Sequence, residues 1–300
     1  MRVQHVGLAL LIVVLWMLSF LAVKLGLRDM PPLALSTVRL LLTSLPWILI
    51  LPRPSVSLYK VALYGILMFA MQLGLLAVAI HQGVPAGMAA VLLQVHVFVT
   101  AALAAVFLRE RPSRWQILGS LISFSGLGLV AMHVGSAAGG FSVLSLLLML
   151  LAASAWGTAN IVSKHLGPVN LLALIAWGSL FAWPPLLLAS LVLEGPELVV
   201  HSFRNLSGVG VSSMFYMAYF GTFLAYALWS KLLQLYPATQ VAPFTLLVPV
   251  LTILSSAVVL DEPLLPWKLA AAALVLAGVL VATFGARITS YFRRSSASTG

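Results

Sequence analysis

The chain has 300 residues, 62% of them hydrophobic and 7% charged, with a mean hydropathy of +1.12. A water-soluble domain carries about 25% charged residues, so this composition fits lipid as its solvent. A formal charge of +10 raises nucleic acid as a partner, and the absence of cysteine excludes disulfides, thiol catalysis and thiolate metal sites.

The apolar residues come in long runs rather than amphipathic stripes. Inside a bilayer such runs must satisfy their own backbone hydrogen bonds, as helices or as a closed barrel. Runs of roughly 20 residues, against about 9–11 for an alternating barrel strand, select helices. Ten spans follow in chain order: 4–24, 33–51, 60–80, 86–108, 115–132, 142–163, 170–193, 209–231, 238–260 and 267–287. The connections are short, including 194–208, and leave no room for a soluble domain. A single Arg2 precedes the first span, and no signal-peptide cleavage site follows it. The Gly/Ser/Ala stretch 133–141 reads as a linker between halves 4–132 and 142–287, with a cytoplasmic tail at 288–300 whose polar end, Ser295 to Gly300, reads as disordered.

The halves repeat. Pro85-Ala86, Leu108-Arg109-Glu110-Arg111-Pro112, Trp115 and Gly126 recur 152 residues on as Pro237-Ala238, Leu260-Asp261-Glu262-Pro263, Trp267 and Gly278. The opening spans align at an offset of 140, pairing Trp16 with Trp156 and Lys24 with Lys164. Five spans per unit is an odd number, so the copies are expected to sit upside down relative to each other. The expected fold is all-α integral membrane, ten transmembrane helices as two inverted five-helix repeats.

Charge gives the orientation. Arg2, Arg53, Lys60, Arg109, Arg111, Arg114, Lys164, Lys231, Arg287, Arg293 and Arg294 fall on the side of the termini, against Lys24, Arg28, Arg204 and Lys268 opposite. That bias places both termini in the cytoplasm and explains the basic excess without nucleic acid. Asp29, Glu194, Glu197, Asp261 and Glu262 fall on the opposite side, and acids carry little weight in this rule.

Polar residues inside spans must face protein or water. Trp16 and Ser19 lie in the first span, Gln72 in the third, and Gln94, His96 and Thr100 in the fourth. Trp156, Thr158, Asn160 and Ser163 lie in the sixth, Tyr216, Tyr219, Thr222 and Tyr226 in the eighth, and Thr245 in the ninth. These mark a polar central cavity. Trp16, Ser19, Gln72, Gln94, His96, Trp156, Asn160, Tyr219 and Tyr226 are the candidate substrate-binding residues. Plainer roles stay open: hydroxyls bond back to their own helix, amides tie helices together for roughly 1 kcal/mol, and His96 sits as a neutral core residue or carries a proton. Arg39, in the second span, either snorkels to the surface or serves as an anion anchor. Pro243 and Pro249 free carbonyls inside the ninth span, as hinges or as packing kinks.

No Asp or Glu falls in the apolar part of a span, so the carboxylate usual in sodium or proton coupling is missing. There is no HExxH, no GxxxxGK[ST] and no histidine pair at i, i+4. Neither an enzyme nor an ATP-driven pump is expected, and no cofactor or metal. The expected partners are a small-molecule substrate and membrane lipids; monomer and homodimer both stay open.

With ten spans in two inverted halves, the chain resembles the EamA family of the drug/metabolite transporter superfamily, and within it the O-acetylserine/cysteine exporter branch. Met30-Pro31-Pro32-Leu33 with Arg39, Pro85-Ala86-Gly87 and Leu93-Gln94 carry the resemblance in the first half. Trp156 with Asn160, Leu247-Val248-Pro249-Val250 and Leu260-Asp261-Glu262 carry it in the second. Two places depart from the family pattern. Where its opening spans read W-G-x-N, this chain has Trp16-Met17-Leu18-Ser19 and Trp156-Gly157-Thr158-Ala159-Asn160, and His96 replaces the amide of that branch. The resemblance implies a multi-pass protein of the bacterial inner membrane that exports small amino-acid-type metabolites by alternating access. Export of aromatic amino acids, drugs or other metabolites is the alternative, and a non-transporting membrane scaffold is the alternative of another class.

Overall fold

The computed structural model describes residues 2–107, 109, 112–136, 140–236 and 241–297, with backbone alone at 230, 233, 234, 242, 243 and 286–297. No strand occurs among the described residues. The helices are α1 (Val3–Gly26), α2 (Pro32–Ile48), α3 (Leu58–His81), α4 (Ala86–Phe107), α5 (Arg114–Met132), α6 (Val143–Leu166), α7 (Leu171–Leu193), α8 (Pro196–Arg204), α9 (208–235), α10 (Leu247–Val259) and α11 (Pro266–Ala297). Eight stretches of 19 to 24 residues are long and apolar enough to cross a membrane: α1, α3 to α7, Gly208–Trp229 of α9 and Pro266–Gly285 of α11. Two further apolar stretches, α2 and Phe244–Val259, are shorter.

Polarity is distributed for lipid. Leu121, Leu188 and Val192 are 63%, 65% and 72% exposed, while Thr43, Ser145, Ser190 and Thr252 are fully buried. Most buried hydroxyls bond their own helix, as Thr43 does to the Arg39 carbonyl and Thr252 to that of Val248, so few are left over for a ligand.

Two sequence expectations need correction. The 194–208 connection is not a plain loop but holds α8, started by Pro196 after Gly195 at φ 87°, with Val199 and Ser202 turned inward three residues apart. And α11 runs on through 288–297 of the expected 288–300 tail, taking in Ser295 to Ala297 of the end read as disordered, because no glycine or proline lies between Gly285 and Ala297 to stop it.

Helix pairing follows a simple pattern: α5 packs on α11, α2 on α7, α4 on α10, α3 on α6 and α1 on α9. Glycines allow the closest crossings. The ideal Cβ that any other residue would carry at Gly65 collides with the Gly178 backbone, and one at Gly278 with Gly119 and Ser123. Ser123 also donates to the Val275 carbonyl at 2.9 Å. The repeated turn has one backbone signature in both copies: Arg109 and Asp261, 152 residues apart, both take the left-handed φ of 54° that non-glycine residues seldom adopt. Leu108, Glu110, Arg111, Pro237 and Ala238 of that turn motif lie outside the described residues.

Among the described residues the two ends of the bundle are tied differently. At the near end, where the chain begins, His5 Nδ1 meets the Tyr236 hydroxyl at 2.6 Å, and Trp177 Nε1 donates weakly to the Leu51 carbonyl at 3.4 Å. At the far end three carboxylates each reach across to the start of a distant helix. Asp29 accepts from the Ser207 amide at 3.0 Å and from its hydroxyl. Glu194 accepts from the amides of Leu33 at 2.6 Å and Ala34 at 3.0 Å. Glu262 accepts from the amide of Ala86 at 2.8 Å and more weakly from that of Gly87 at 3.5 Å. Helix starts carry unpaired N–H groups and the positive end of the helix dipole, which is why carboxylates lodge there.

Candidate functional site

Four helices have irregular segments, and all four border the same space. α3 widens into a π segment at Ile66–Met71 and α9 at Tyr216–Leu224. α4 breaks at Gln94–Val95, and Phe244–Val259 opens as a 3-10 turn, Ala242–Leu246, before becoming α10 at Leu247. The two breaks fall at the same register of the 152-residue repeat, Gln94-Val95 against Leu246-Leu247. Their causes differ. Pro249 has no N–H to return to the Thr245 carbonyl. In α4 no proline is present; short i to i−3 bonds (Gln94 to Val91, Val97 to Gln94) leave the Leu93 carbonyl to His96 Nδ1 at 2.7 Å. Irregular backbone at membrane depth is tolerated where it borders protein or a cavity.

That space is a cavity of about 630 Å³. Of the candidate residues, Trp16, Ser19, Arg39, Gln72, Gln94, His96, Trp156, Asn160, Tyr226 and Pro249 line it. Tyr219 does not. Gly221 and Tyr226, five residues apart, share the cavity face across the wide π turn, whereas Tyr219 is rotated away and stacks on Phe215 at 5.8 Å. The side chain of Pro243 lies outside the described ones. Tyr64 and Trp229 also line the wall without having been singled out, although Trp229 stands one turn from Tyr226 and Tyr64 two turns from Gln72, spacings that share a helix face.

Arg39 is 8% exposed and does not snorkel. Its Nη2 and Nε donate to Thr222 Oγ1 at 3.0 and 3.3 Å, and the Thr222 hydroxyl donates in turn to the Met217 carbonyl five residues back, a bond made possible by the π turn. A guanidinium has five N–H donors, and among the described residues most of that capacity is unused. Among the described residues no Asp or Glu lines the cavity, which leaves Arg39 as its one charged side chain. Gln72 and Gln94 are 4% and 8% exposed, and their amides find no partner among the described residues. Asn160 Nδ2 donates to Thr100 Oγ1 at 3.1 Å, and Thr100 donates to the His96 carbonyl at 2.7 Å, tying α6 to α4. Ser19 bonds back to Leu15.

Aromatic rings form the remaining wall. Trp16 meets Tyr226 edge-on at 5.6 Å and Trp229 at 5.3 Å, and His96 lies flat on Trp156 at 4.0 Å with 5° between the planes. At the far limit the lining residues Val23, Leu76 and Ala90 are buried, whereas Leu171, Thr245 and Thr283 at the near limit are partly or fully exposed, so the cavity opens toward the near end. Among the described residues no cluster could hold a metal ion.

The profile of the EamA-like transporter family matches the chain twice, over residues 5–132 and 143–284. A protein of Salmonella typhimurium (strain LT2) described as a probable amino-acid metabolite efflux pump is 37% identical over 285 residues, covering 94% of this chain and 95% of that protein. The Escherichia coli (strain K12) protein of the same description is 35% identical over 284 residues, covering 93% and 95%. A crystal structure 18% identical in sequence superposes with a TM-score of 0.64, covering 96% of this chain and 99% of that one, a likeness of fold alone.

Proposed function

The chain belongs to the EamA-like transporter family, and from that premise we propose that it exports small amino-acid-type metabolites, of the O-acetylserine and cysteine kind, across the bacterial inner membrane. It is a multi-pass membrane transporter, and its relatives' description as amino-acid metabolite efflux pumps supports the substrate class. The observation that carries the reading is the buried Arg39 guanidinium, held by Thr222 in a cavity without a carboxylate. An isolated buried cation with unused donors fits a substrate carboxylate, which Gln72 and Gln94 are placed to bond as well.

Transport proceeds by alternating access between two inverted five-helix halves, 4–132 and 142–287. The helix pairing supports this. Exchanging the halves maps the pairs α5·α11, α2·α7 and α4·α10 onto themselves and α1·α9 onto α6·α3. The two separate family matches support it too. Each far-end clasp joins one half to the other: Asp29 to Ser207, Glu194 to Leu33 and Ala34, Glu262 to Ala86. With both termini cytoplasmic, as the charge bias argues, the cavity faces the cytoplasm, and the clasps hold the periplasmic end shut.

Proteoliposomes of the purified protein test this with cysteine, O-acetylserine, phenylalanine and a lipophilic cation. Flux of the first two is expected, reduced at least about tenfold by Arg39→Gln, because a hydrogen bond to a charged group is worth about 1.5–3 kcal/mol. No flux of either would sink the reading. The aromatic wall of Trp16, Tyr226 and Trp229 favours a second reading, export of aromatic amino acids or drugs, and flux of phenylalanine or the cation alone would select it. Flux of none of the four would favour a scaffold.

A further inference from the structure

Resting on that reading, we infer that His96 and Asn160 form the seat of the substrate's ammonium group, as a pair of hydrogen-bond acceptors whose polarity the protein fixes. A backbone carbonyl only accepts, so the 2.7 Å contact of His96 Nδ1 with the Leu93 carbonyl puts the imidazole proton on Nδ1. In the neutral ring Nε2 is then an acceptor, and it meets no donor among the described residues while the ring lines the cavity. Flat stacking on Trp156 at 4.0 Å holds the ring plane, so the lone pair has one direction.

Asn160 is fixed by the same network. Thr100 commits its hydroxyl proton to the His96 carbonyl at 2.7 Å and therefore accepts from Asn160 at 3.1 Å, which assigns Nδ2 to Thr100 and leaves Oδ1 as the free acceptor. Asn160 stands one turn beyond Trp156 on α6, on the face that carries the stacked histidine. Gln72 and Gln94 differ in kind, since an unpartnered amide can turn either its oxygen or its nitrogen toward a ligand. In a cavity without a carboxylate, His96 Nε2 and Asn160 Oδ1 are the groups committed to accepting, and an ammonium needs acceptors. The Arg39 region takes the carboxylate and the His96–Asn160 pair takes the amine, which makes the cavity selective for a free α-amino acid.

The experiment compares cysteine with N-acetylcysteine, which keeps the carboxylate and thiol and loses the ammonium, under reducing conditions in proteoliposomes. Wild-type protein is expected to prefer cysteine at least tenfold in kcat/KM. His96→Phe keeps a ring on Trp156 but removes the acceptor; it should raise KM for cysteine with little change in kcat and bring the preference toward unity. His96→Gln, which can accept through Oε1, should restore part of it. Asn160→Leu reports on the second acceptor should His96→Phe fail to fold, and should lower the preference in the same way. A merely structural role would slow both compounds equally. Flux of cysteine with a wild-type preference in His96→Phe and Asn160→Leu overturns the ammonium seat alone. Flux of neither compound in wild type overturns the functional reading.

Discussion

Among the described residues the two ends of the bundle are tied by different groups. The far end is laced by Asp29, Glu194 and Glu262, each accepting backbone N–H groups at the start of a helix in the other half. At the near end the described ties include the His5–Tyr236 contact and a long Trp177–Leu51 bond. Carboxylates at helix starts are stronger ties, about 0.5–2 kcal/mol each, and each covers backbone donors that are orphaned when it leaves. In the proposed alternating-access cycle the clasped far end is the closed one, and the cavity opens at the other.

The sharpest way to break that comparison is to remove all three clasps together, as Asp29→Asn, Glu194→Gln and Glu262→Gln. At about 1 kcal/mol each, their loss shifts the balance between the two states by roughly a hundredfold. The wild-type sequence has no cysteine, so a single reporter can be added without background. Val84, fully buried at the far end, serves as Val84→Cys. Its labelling by an impermeant maleimide from the far-end side of the membrane should rise by up to about two orders of magnitude in the triple variant. Unchanged labelling would refute a gating role for the clasps.

The single variants should rank. Glu194 accepts two short backbone bonds and the Ser190 hydroxyl at 2.6 Å, whereas Glu262 has one short bond and one at 3.5 Å. Glu194→Gln should therefore raise Val84→Cys labelling by roughly tenfold, and Glu262→Gln by about half that on a logarithmic scale. The reverse order would place the controlling tie at the repeated turn rather than at the start of α2.

How much of this was legible in the sequence follows from what periodicity can express. The repeat and the polar positions within spans were readable because they depend on residue type and spacing, whereas the burial of Arg39 was not, since a position two turns inside a span also allows snorkelling. Tyr219 was misplaced because an α-helical period was assumed through a stretch that is a π segment, where Gly221 and Tyr226 share a face instead. The break at Gln94 was hidden because no proline marks it; His96 supplies the competing bond. The acids were visible as a charge bias, but their partners lie between 160 and 178 residues away, and no local pattern pairs Glu194 with Leu33 or Asp29 with Ser207.

At the near end the matching test is Tyr236→Phe, which removes the hydroxyl that meets His5 Nδ1 at 2.6 Å and accepts from the Arg2 amide at 3.2 Å. Both partners lie in the first turns of α1 within reach of water, and Arg2 is exposed. Water can therefore replace the lost bonds, and the net cost is about 0.5–1 kcal/mol. The reporter here is Thr283→Cys, an exposed lining position at the open limit. Its labelling from the near-end side of the membrane should change by less than about fivefold, because the near end is already open and the tie bridges α1 and Tyr236 outside the cavity wall. A change as large as that of the triple far-end variant would mean that the His5–Tyr236 contact at the near end, and not the carboxylates, sets the resting state.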